Sequence, residues 1–103
     1  MINVRYSVEG NKYTLSVYGH ANYSSYGTDI VCAGTSALVQ ALIGWIDNAD
    51  CKVVCISQDE RNNEHIVSCI GEEDVEAVFY MTYIGLAQIA EAYPNYVQID
   101  LSE

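Results

Sequence analysis

The chain has 103 residues, of which 50% are hydrophobic and 17% charged, and its formal net charge is −10 at pH 7. This length and composition predict a single domain over residues 1–103 and exclude a disordered chain. A phosphate backbone repels so acidic a surface, which excludes nucleic acid as a direct partner and favours a basic one.

The amino-terminal residues predict a cytoplasmic protein. Residues 1–5 do not form a charged segment that precedes an apolar one, and no apolar run reaches the roughly 18 residues needed to cross a bilayer. We therefore expect neither secretion nor membrane contact. The four cysteines are expected to be reduced, because no secretory signal accompanies them.

The first third of the chain predicts a hairpin. Apolar and polar residues alternate over residues 2–8, which is typical of a half-buried strand. Gly10 and Asn11 suit the turn, and residues 13–18 form the second strand. Gly19 then breaks the pattern immediately before His20, and a loop rich in small polar residues follows.

A first helix is expected from about residue 29 to residue 47, capped by Thr28 or Asp29. Its core face is predicted at helical spacing. That face comprises Ile30, Gly34, Ala37, Leu38, Ala41 and Trp45. The small residues among them would let this helix lie close to the sheet or to a neighbouring helix.

Two strands, a second helix and a last strand complete the prediction. The strands cover residues 51–57 and 64–70, with a polar turn between them. The helix begins with the acidic residues 72–74, which its dipole favours, and ends at Pro94; residues 96–101 form the last strand. The order β-β-α-β-β-α-β predicts an α+β domain, an antiparallel or mixed β-sheet packed with two α-helices, and leaves the strand order open.

The second helix is apolar on more than one face. The residues predicted to be buried are Val75, Val78, Phe79, Thr82, Leu86, Ile89 and Tyr93. Tyr80, Met81, Tyr83 and Ile84 lie outside that stripe, and an exposed apolar patch of this kind is typical of an interface.

Cysteines outside the first helix do not predict a metal site. Cys51 and Cys55 are four residues apart on one strand, so about 13 Å separates their Cα atoms, too far for one tetrahedral ion. Cys55 and Cys69 could face each other across the hairpin, but two thiols do not complete a site. We expect no metal and interpret these three cysteines as buried, reduced thiols. His65 is interpreted as a solvent-facing strand residue.

His20 and Cys32 are the candidate catalytic pair. A thiol attacks as its thiolate, which the free N–H groups and the dipole of a helix amino terminus favour, as does a neighbouring imidazolium. Cys32 falls in the first turn of the predicted helix, where its N–H and those of its neighbours could also hold an oxyanion. His20, at a strand end, could supply the imidazole.

The blocks around this pair resemble a known family. Gly19-His20-Ala21, a short loop, Asp29-Ile30-Val31-Cys32-Ala33 and then Ser36-Ala37-Leu38 are similar to the signature of the ribosomal-processing cysteine protease family Prp. These small bacterial proteases remove the N-terminal extension of a large-subunit ribosomal protein, the twenty-seventh in its series. The similarity extends over nearly the whole chain.

The resemblance implies a cysteine endopeptidase without a cofactor, with Cys32 as nucleophile and His20 as general base and acid. It also implies a homodimer and, as substrate, the basic N-terminal segment of that ribosomal protein. The loop residues expected to contact substrate are Gly19, Ala21, Asn22, Tyr23, Tyr26 and Gly27. The loop is either a mobile lid or an ordinary loop whose tyrosines pack against the domain.

Two accessory roles stay open. Asp29 either orients His20 or only caps the helix, and the side chain of Ser36 either lines the site or bonds back to the helix backbone. Two other functions also stay open. One is a phage-type protease of the same family that acts on virion proteins, and the other is a non-catalytic dimeric module that binds basic ribosomal tails.

Overall fold

Five strands and two helices follow the predicted order in a computed structural model that describes residues 1–25 and 28–100. In chain order they are β1 (Ile2–Glu9), β2 (Lys12–Tyr18), α1 (Ile30–Asn48), β3 (Lys52–Asp59), β4 (Glu64–Ile70), α2 (Glu73–Ala92) and β5 (Val97–Asp100). The predicted α+β class is confirmed.

The strands form one mixed sheet in the order β3-β4-β2-β1-β5. β1 and β2 form the predicted hairpin, β3 and β4 a second one, and β4 pairs antiparallel with β2. β5 pairs with β1 in parallel, and this makes the sheet mixed. β2 therefore lies at the centre of the sheet, between β4 and β1. A residue that follows β2 is close to both hairpins.

The core lies on one face of the sheet. Ile2 and Val4 on β1 are fully buried, whereas Arg5 on the opposite face is exposed. The same alternation buries Leu15 on β2 and Val67 on β4. Apolar residues of α1 and α2 belong to the same cluster, so both helices cover this face and leave the other to solvent.

The predicted core face of α1 is wrong by about one residue. The buried residues of α1 are Val31, Thr35, Val39, Leu42, Ile43 and Ile46. Ile30, Ala37 and Ala41 are exposed instead. The aliphatic side chains bury more apolar area than alanine or glycine, so the helix turns the face that carries them toward the sheet. Much of α1 is apolar on every side, which made its orientation ambiguous.

Small residues bring the two helices together, as expected. A Cβ added at Gly34 would meet Ile89 Cδ1 at 3.3 Å, and one added at Gly85 would meet the Leu38 side chain at 3.0 Å. The buried residues of α2 (Val75, Phe79, Thr82 and Leu86) all belong to the predicted stripe.

The apolar patch predicted on α2 is exposed. Tyr80, Met81 and Ile84 expose 54%, 68% and 42% of their surface. Tyr83 is half-buried because it stacks on Tyr6 and Tyr80. Three large apolar side chains therefore share one exposed face of α2.

By length and composition alone, α1 could cross a membrane, with a mean hydropathy of 1.5. The expectation that no segment is apolar enough therefore needs correction. Core helices of globular domains meet the same criterion, and six residues of α1 lie in the core. A cytoplasmic location stays a prediction.

Candidate active site

Asp29 caps α1 and ties the preceding loop to it. Its Oδ1 accepts from the backbone N–H groups of Val31 and Cys32, each at 3.0 Å, and its Oδ2 accepts from those of Tyr23 and Ser24 at 3.0 and 3.3 Å. Burial disfavours the charged carboxylate, but these four donors outweigh it and hold the pKa of Asp29 below its usual value. Within the described residues, no hydrogen bond joins Asp29 to His20.

The end of β2 is fixed by the β3–β4 turn. Gly19 N–H donates to Asn63 O at 3.2 Å, and Asn63 Nδ2 donates to Gly19 O at 2.7 Å. Gly19 has φ +103°, and a Cβ there would collide with the carbonyl oxygen of Met1. Only glycine fits this conformation without strain, and it sets the direction in which His20 leaves the sheet.

Cys32 and His20 line the same cleft. The backbone N–H of Ala21, the residue after His20, donates to Cys32 Sγ at 3.4 Å. The sulfur is half-buried, and His20 is exposed. The described residues show no hydrogen bond from the imidazole of His20 to the sulfur. The loop thus brings both groups to one cleft, with a backbone donor already aimed at the sulfur.

The cleft has a volume of about 510 Å³, and most of its lining residues have polar side chains. Its walls consist of His20, Asn22, Ser24, Asp29, Cys32, Ala33, Ser36, Gln40, Glu60, Asn63 and His65. Among the described lining residues, Asp29 and Glu60 carry carboxylates and none is a lysine or arginine. The cleft is therefore suited to ligands with hydrogen-bond donors or positive charge.

The predicted loop residues separate into two groups. Asn22 lines the cleft, and Ala21 is buried behind it with its N–H on the sulfur. Tyr23 turns away, and its ring packs edge-on against Tyr93 and Tyr96 with centroids 5.4 and 5.1 Å apart. This part of the loop packs against the domain as an ordinary loop does. Tyr26 and Gly27 lie outside the described residues.

Ser36 lines the cleft, as one of its two interpretations requires. The side chain that bonds back to the helix is that of its neighbour: Thr35 Oγ1 donates to Cys32 O at 3.0 Å.

The expected oxyanion donors are already occupied. Val31 N–H and Cys32 N–H donate to the Asp29 carboxylate, and Ala33 N–H donates to the Asp29 carbonyl at 3.0 Å. A tight N-cap uses the same orphan amides that an oxyanion would need. The prediction of first-turn donors is therefore wrong for this arrangement, and Ala21 N–H is the backbone donor directed at the sulfur.

His65 is buried, with 6% of its surface exposed, and it lines the cleft; its interpretation as a solvent-facing residue is wrong. It has the same strand parity as Val67 and Cys69, and all three face the core. The alternation of residues along this strand could therefore have predicted from the sequence that His65 is buried. Gln40 was also missed, although it lies eight residues after Cys32 on the same line of α1. Glu60 and Asn63 come from the β3–β4 turn, for which the sequence has no comparable signal.

The other three cysteines are free thiols, as expected, but only one of them is buried. Cys69 is buried, Cys51 is half-buried and Cys55 is exposed. A register shift between Val53 and Cys55 pairs Cys55 with Ser68, so Cys55 does not face Cys69. Burial raises the pKa of Cys69 to about 11, and the neighbouring Cys51 thiol contributes. The described residues contain no group of three or more His, Cys, Asp or Glu residues that could hold a metal ion.

Comparisons with known proteins agree on one family. The family model for the cysteine protease Prp matches residues 1–98. The ribosomal processing cysteine protease Prp of Staphylococcus aureus, in each of two strains, is 24% identical over 101 residues, which cover 96% of this chain and 95% of the relative.

Solved structures share the fold. Staphylococcus aureus Prp with a covalently linked product peptide superimposes with a TM-score of 0.89 at 23% identity, covering 99% of this chain and 100% of that one. A protein from Streptococcus mutans superimposes with a TM-score of 0.79 at 26% identity, covering 98% of this chain and 93% of that one.

Proposed function

Because the chain belongs to the cysteine protease Prp family, we propose that it is the endopeptidase that removes the N-terminal extension of the large-subunit ribosomal protein that is twenty-seventh in its series. Cys32 is the nucleophile of this proposal, and His20 is the general base and acid. The ribosomal processing role that the Staphylococcus aureus relatives carry in their names supports the substrate class.

One observation carries the assignment of the site: Cys32 and His20, twelve residues apart along the chain, line one cleft. The strand end positions the imidazole, and the capped first turn of α1 positions the thiol. The Ala21 N–H donates to Cys32 Sγ and holds the sulfur in the wall of the cleft. The imidazole and the sulfur are not hydrogen-bonded in this structure, and His20 is exposed, so rotation of the His20 side chain is the step that completes the pair when a peptide binds.

The proposed reaction has two halves. In the first, His20 takes the Cys32 proton, the sulfur attacks the scissile carbonyl, and Ala21 N–H donates to the oxygen that becomes negative. The imidazolium then gives its proton to the leaving amine, and a thioester remains. In the second half, His20 takes a proton from water, the hydroxide attacks the thioester, and the thiol leaves with the proton from His20.

Charge supports a basic substrate. The formal net charge is −10, and the described lining residues of the cleft include two carboxylates and no lysine or arginine. A basic peptide is attracted to such a cleft before it makes any specific contact. The same charge disfavours nucleic acid.

We also propose that the protein is a homodimer that buries the exposed face formed by Tyr80, Met81 and Ile84. Apolar side chains clustered on one helix face are typical of such interfaces. This proposal is independent of the catalytic one.

A cleavage assay tests the function. The protein is incubated with the full-length ribosomal protein, and mass spectrometry measures the product and its new terminus. We expect wild type to shorten the substrate at one bond, and Cys32→Ala and His20→Ala each to reduce the rate at least about a thousandfold. Cys55→Ala is the matched control, because Cys55 is exposed and lies outside the cleft lining, and it should cleave normally.

Circular dichroism of each variant excludes unfolding as the cause of lost cleavage. An intact substrate after incubation with folded wild type would contradict the proposed substrate. In that case virion proteins are tested next, as for a phage-type member of the family. If Cys32→Ala supports normal growth in cells that depend on this protein, the alternative of a non-catalytic module that binds basic tails replaces the protease assignment.

A further inference from the structure

One wall of the cleft is a straight line along α1. Cys32, Ser36 and Gln40 are four residues apart, and all three line the cleft. The helix rises 1.5 Å per residue, so Gln40 lies about 12 Å beyond Cys32 along the axis. An extended peptide advances about 3.3 Å per residue. A peptide whose scissile carbonyl is at Cys32 therefore places its third or fourth residue from the cleaved bond near Gln40.

At this distal end, three side chains form a hydrogen-bonded group that the proposed reaction does not use. Gln58 Oε1 accepts from Gln40 Nε2 at 2.7 Å and lies 3.1 Å from His65 Nδ1. An amide oxygen only accepts, so Nδ1 carries the hydrogen of the imidazole and Nε2 carries the lone pair.

His65 Nε2 is a hydrogen-bond acceptor to which none of the described residues donates, and it is buried. Burial lowers the pKa of His65, although Glu60 acts in the opposite sense, so the imidazole stays neutral near pH 7 and keeps its lone pair. A buried acceptor without a donor is costly, and a ligand that supplies the donor recovers this cost.

The charge of the distal end selects the kind of donor. Glu60 lines the same cleft and is close enough to His65 to influence its pKa. The described lining residues include no cation that would neutralise Glu60. An acceptor nitrogen beside an unpaired carboxylate suits a cationic donor better than a neutral one.

We propose that Gln40, Gln58, Glu60 and His65 form a specificity subsite for a lysine or arginine side chain of the substrate, three or four residues from the scissile bond. This inference rests on the proposed function and adds the chemistry of one substrate position to it. The cation pairs with Glu60 and donates to His65 Nε2 after the Gln40–Gln58 hydrogen bond opens. That bond joins two exposed side chains, so water readily replaces it.

Peptide kinetics test the subsite. The starting peptide spans the cleavage site that mass spectrometry identifies in the ribosomal protein. The third and fourth residues on each side of the scissile bond are replaced one at a time by Lys, Arg, Gln, Leu or Glu. At one of these four positions we expect Lys and Arg to give a KM about tenfold lower than Leu, the size expected of a hydrogen bond to a charged group, with kcat nearly unchanged. Glu should give the highest KM.

Glu60→Gln should abolish most of this preference for Lys and Arg, and Glu91→Gln should keep it. Both glutamates are exposed, but Glu91 lies on α2 outside the cleft lining. His65→Asn, checked for folding by circular dichroism, should also weaken the preference. Equal KM values for Lys and Gln peptides, or an unchanged preference in Glu60→Gln, would overturn the subsite while cleavage itself persists. If no peptide is cleaved at all, it is the proposed function that fails.

Discussion

Cys32 and Cys69 both contact the hydrophobic core, yet their sulfur atoms have opposite surroundings. Cys69 lies near the end of β4, fully buried, and burial raises the pKa of its thiol to about 11. Cys32 lies at the edge of the same core, half-buried in the wall of the cleft, and receives a backbone N–H from Ala21.

The difference shows which part of the fold makes a thiol reactive. Packing against the core is common to both residues, so it does not distinguish them. Cys32 lies in the first turn of α1, and Ala21 lies in the irregular segment between β2 and α1, so the Ala21 amide, which no strand ladder uses, donates to the sulfur. The chain around Cys69 is a strand paired on both edges, where ladder hydrogen bonds occupy the amides. The reactivity expected of the Cys32 thiol therefore depends on the irregular segment between β2 and α1, and not on packing against the core.

The largest effect should be in alkylation by iodoacetamide. At pH 8, a thiol with a pKa of about 11 is ionised in about one molecule in a thousand, and Cys69 is also shielded from the reagent. We expect Cys32 to react at least about 100-fold faster than Cys69 in the folded protein. Mass spectrometry of peptides sampled over time measures both rates, and exposed Cys55 reports the activity of the reagent. Similar alkylation rates at Cys32 and Cys69 would show that the different surroundings of the two sulfur atoms do not change their reactivity.

The same experiment tests the catalytic pair. If the imidazole of His20 already assists the thiol before substrate binds, His20→Ala should slow the alkylation of Cys32 sharply and leave that of Cys55 unchanged. An unchanged rate at Cys32 would mean that the pair assembles only with substrate present. High selectivity and slow turnover would then follow.

A smaller effect is expected from the glycine that directs the chain toward His20. Gly19→Ala places a side chain in a positive-φ conformation and against the carbonyl of Met1, so we expect it to destabilise the fold by about 2 kcal/mol. Gly44→Ala is the matched control, because its Cβ would meet nothing within 4 Å inside α1, and it should stabilise by about 0.5–1 kcal/mol. Urea unfolding measures both.

Gly19→Ala should also change the alkylation rate of Cys32 and leave Cys69 protected, because the strain lies beside Ala21 and next to the start of β4, whereas Cys69 lies near the other end of that strand. Equal stability of the two alanine variants would show that the end of β2 does not hold this conformation.

Local patterns predicted the elements but not their arrangement. Alternation over residues 2–8 and 13–18, the cap at Asp29 and Pro94 after α2 are local signals, and the structure follows them. The position of β4 between β3 and β2, and the parallel pairing of β5, depend on contacts between distant segments. No local pattern encodes those contacts.

For the site, the sequence predicted the two ends of the loop and missed the opposite wall. His20 and Cys32 are marked by a strand end and by a helix start, both readable locally. Glu60 and Asn63 reach the cleft only because β4 pairs with β2, which brings their turn beside Gly19. The occupied amides of the first turn were unpredictable for another reason, since the sequence does not show whether a cap or a ligand holds them.

The smallest expected change in stability is that of Asp29→Ala, a variant that also distinguishes the two roles of Asp29, capping α1 and orienting His20. Asp29→Ala removes the N-cap and should cost about 1 kcal/mol at pH 7. Burial raises the pKa of the Asp29 carboxyl, but its four backbone donors lower the pKa by more. The pKa of Asp29 is therefore lower in the folded state than in the unfolded state. Its contribution is therefore present above about pH 4, the unfolded value, and is lost as pH falls through the folded pKa. Urea unfolding at pH 7 and at pH 3 should show the difference from wild type shrink.

Alkylation of the same variant decides the role. If Asp29 only caps α1, removing it frees the N–H groups of Val31 and Cys32 and removes a negative charge near the sulfur. Both changes favour the thiolate, so Cys32 should react a few-fold faster although the fold is weaker. If Asp29 instead orients His20, the imidazole is lost from the pair and Cys32 reacts more slowly. Asp29→Asn keeps an acceptor oxygen but no charge, so its rate separates the freed amides from the lost carboxylate.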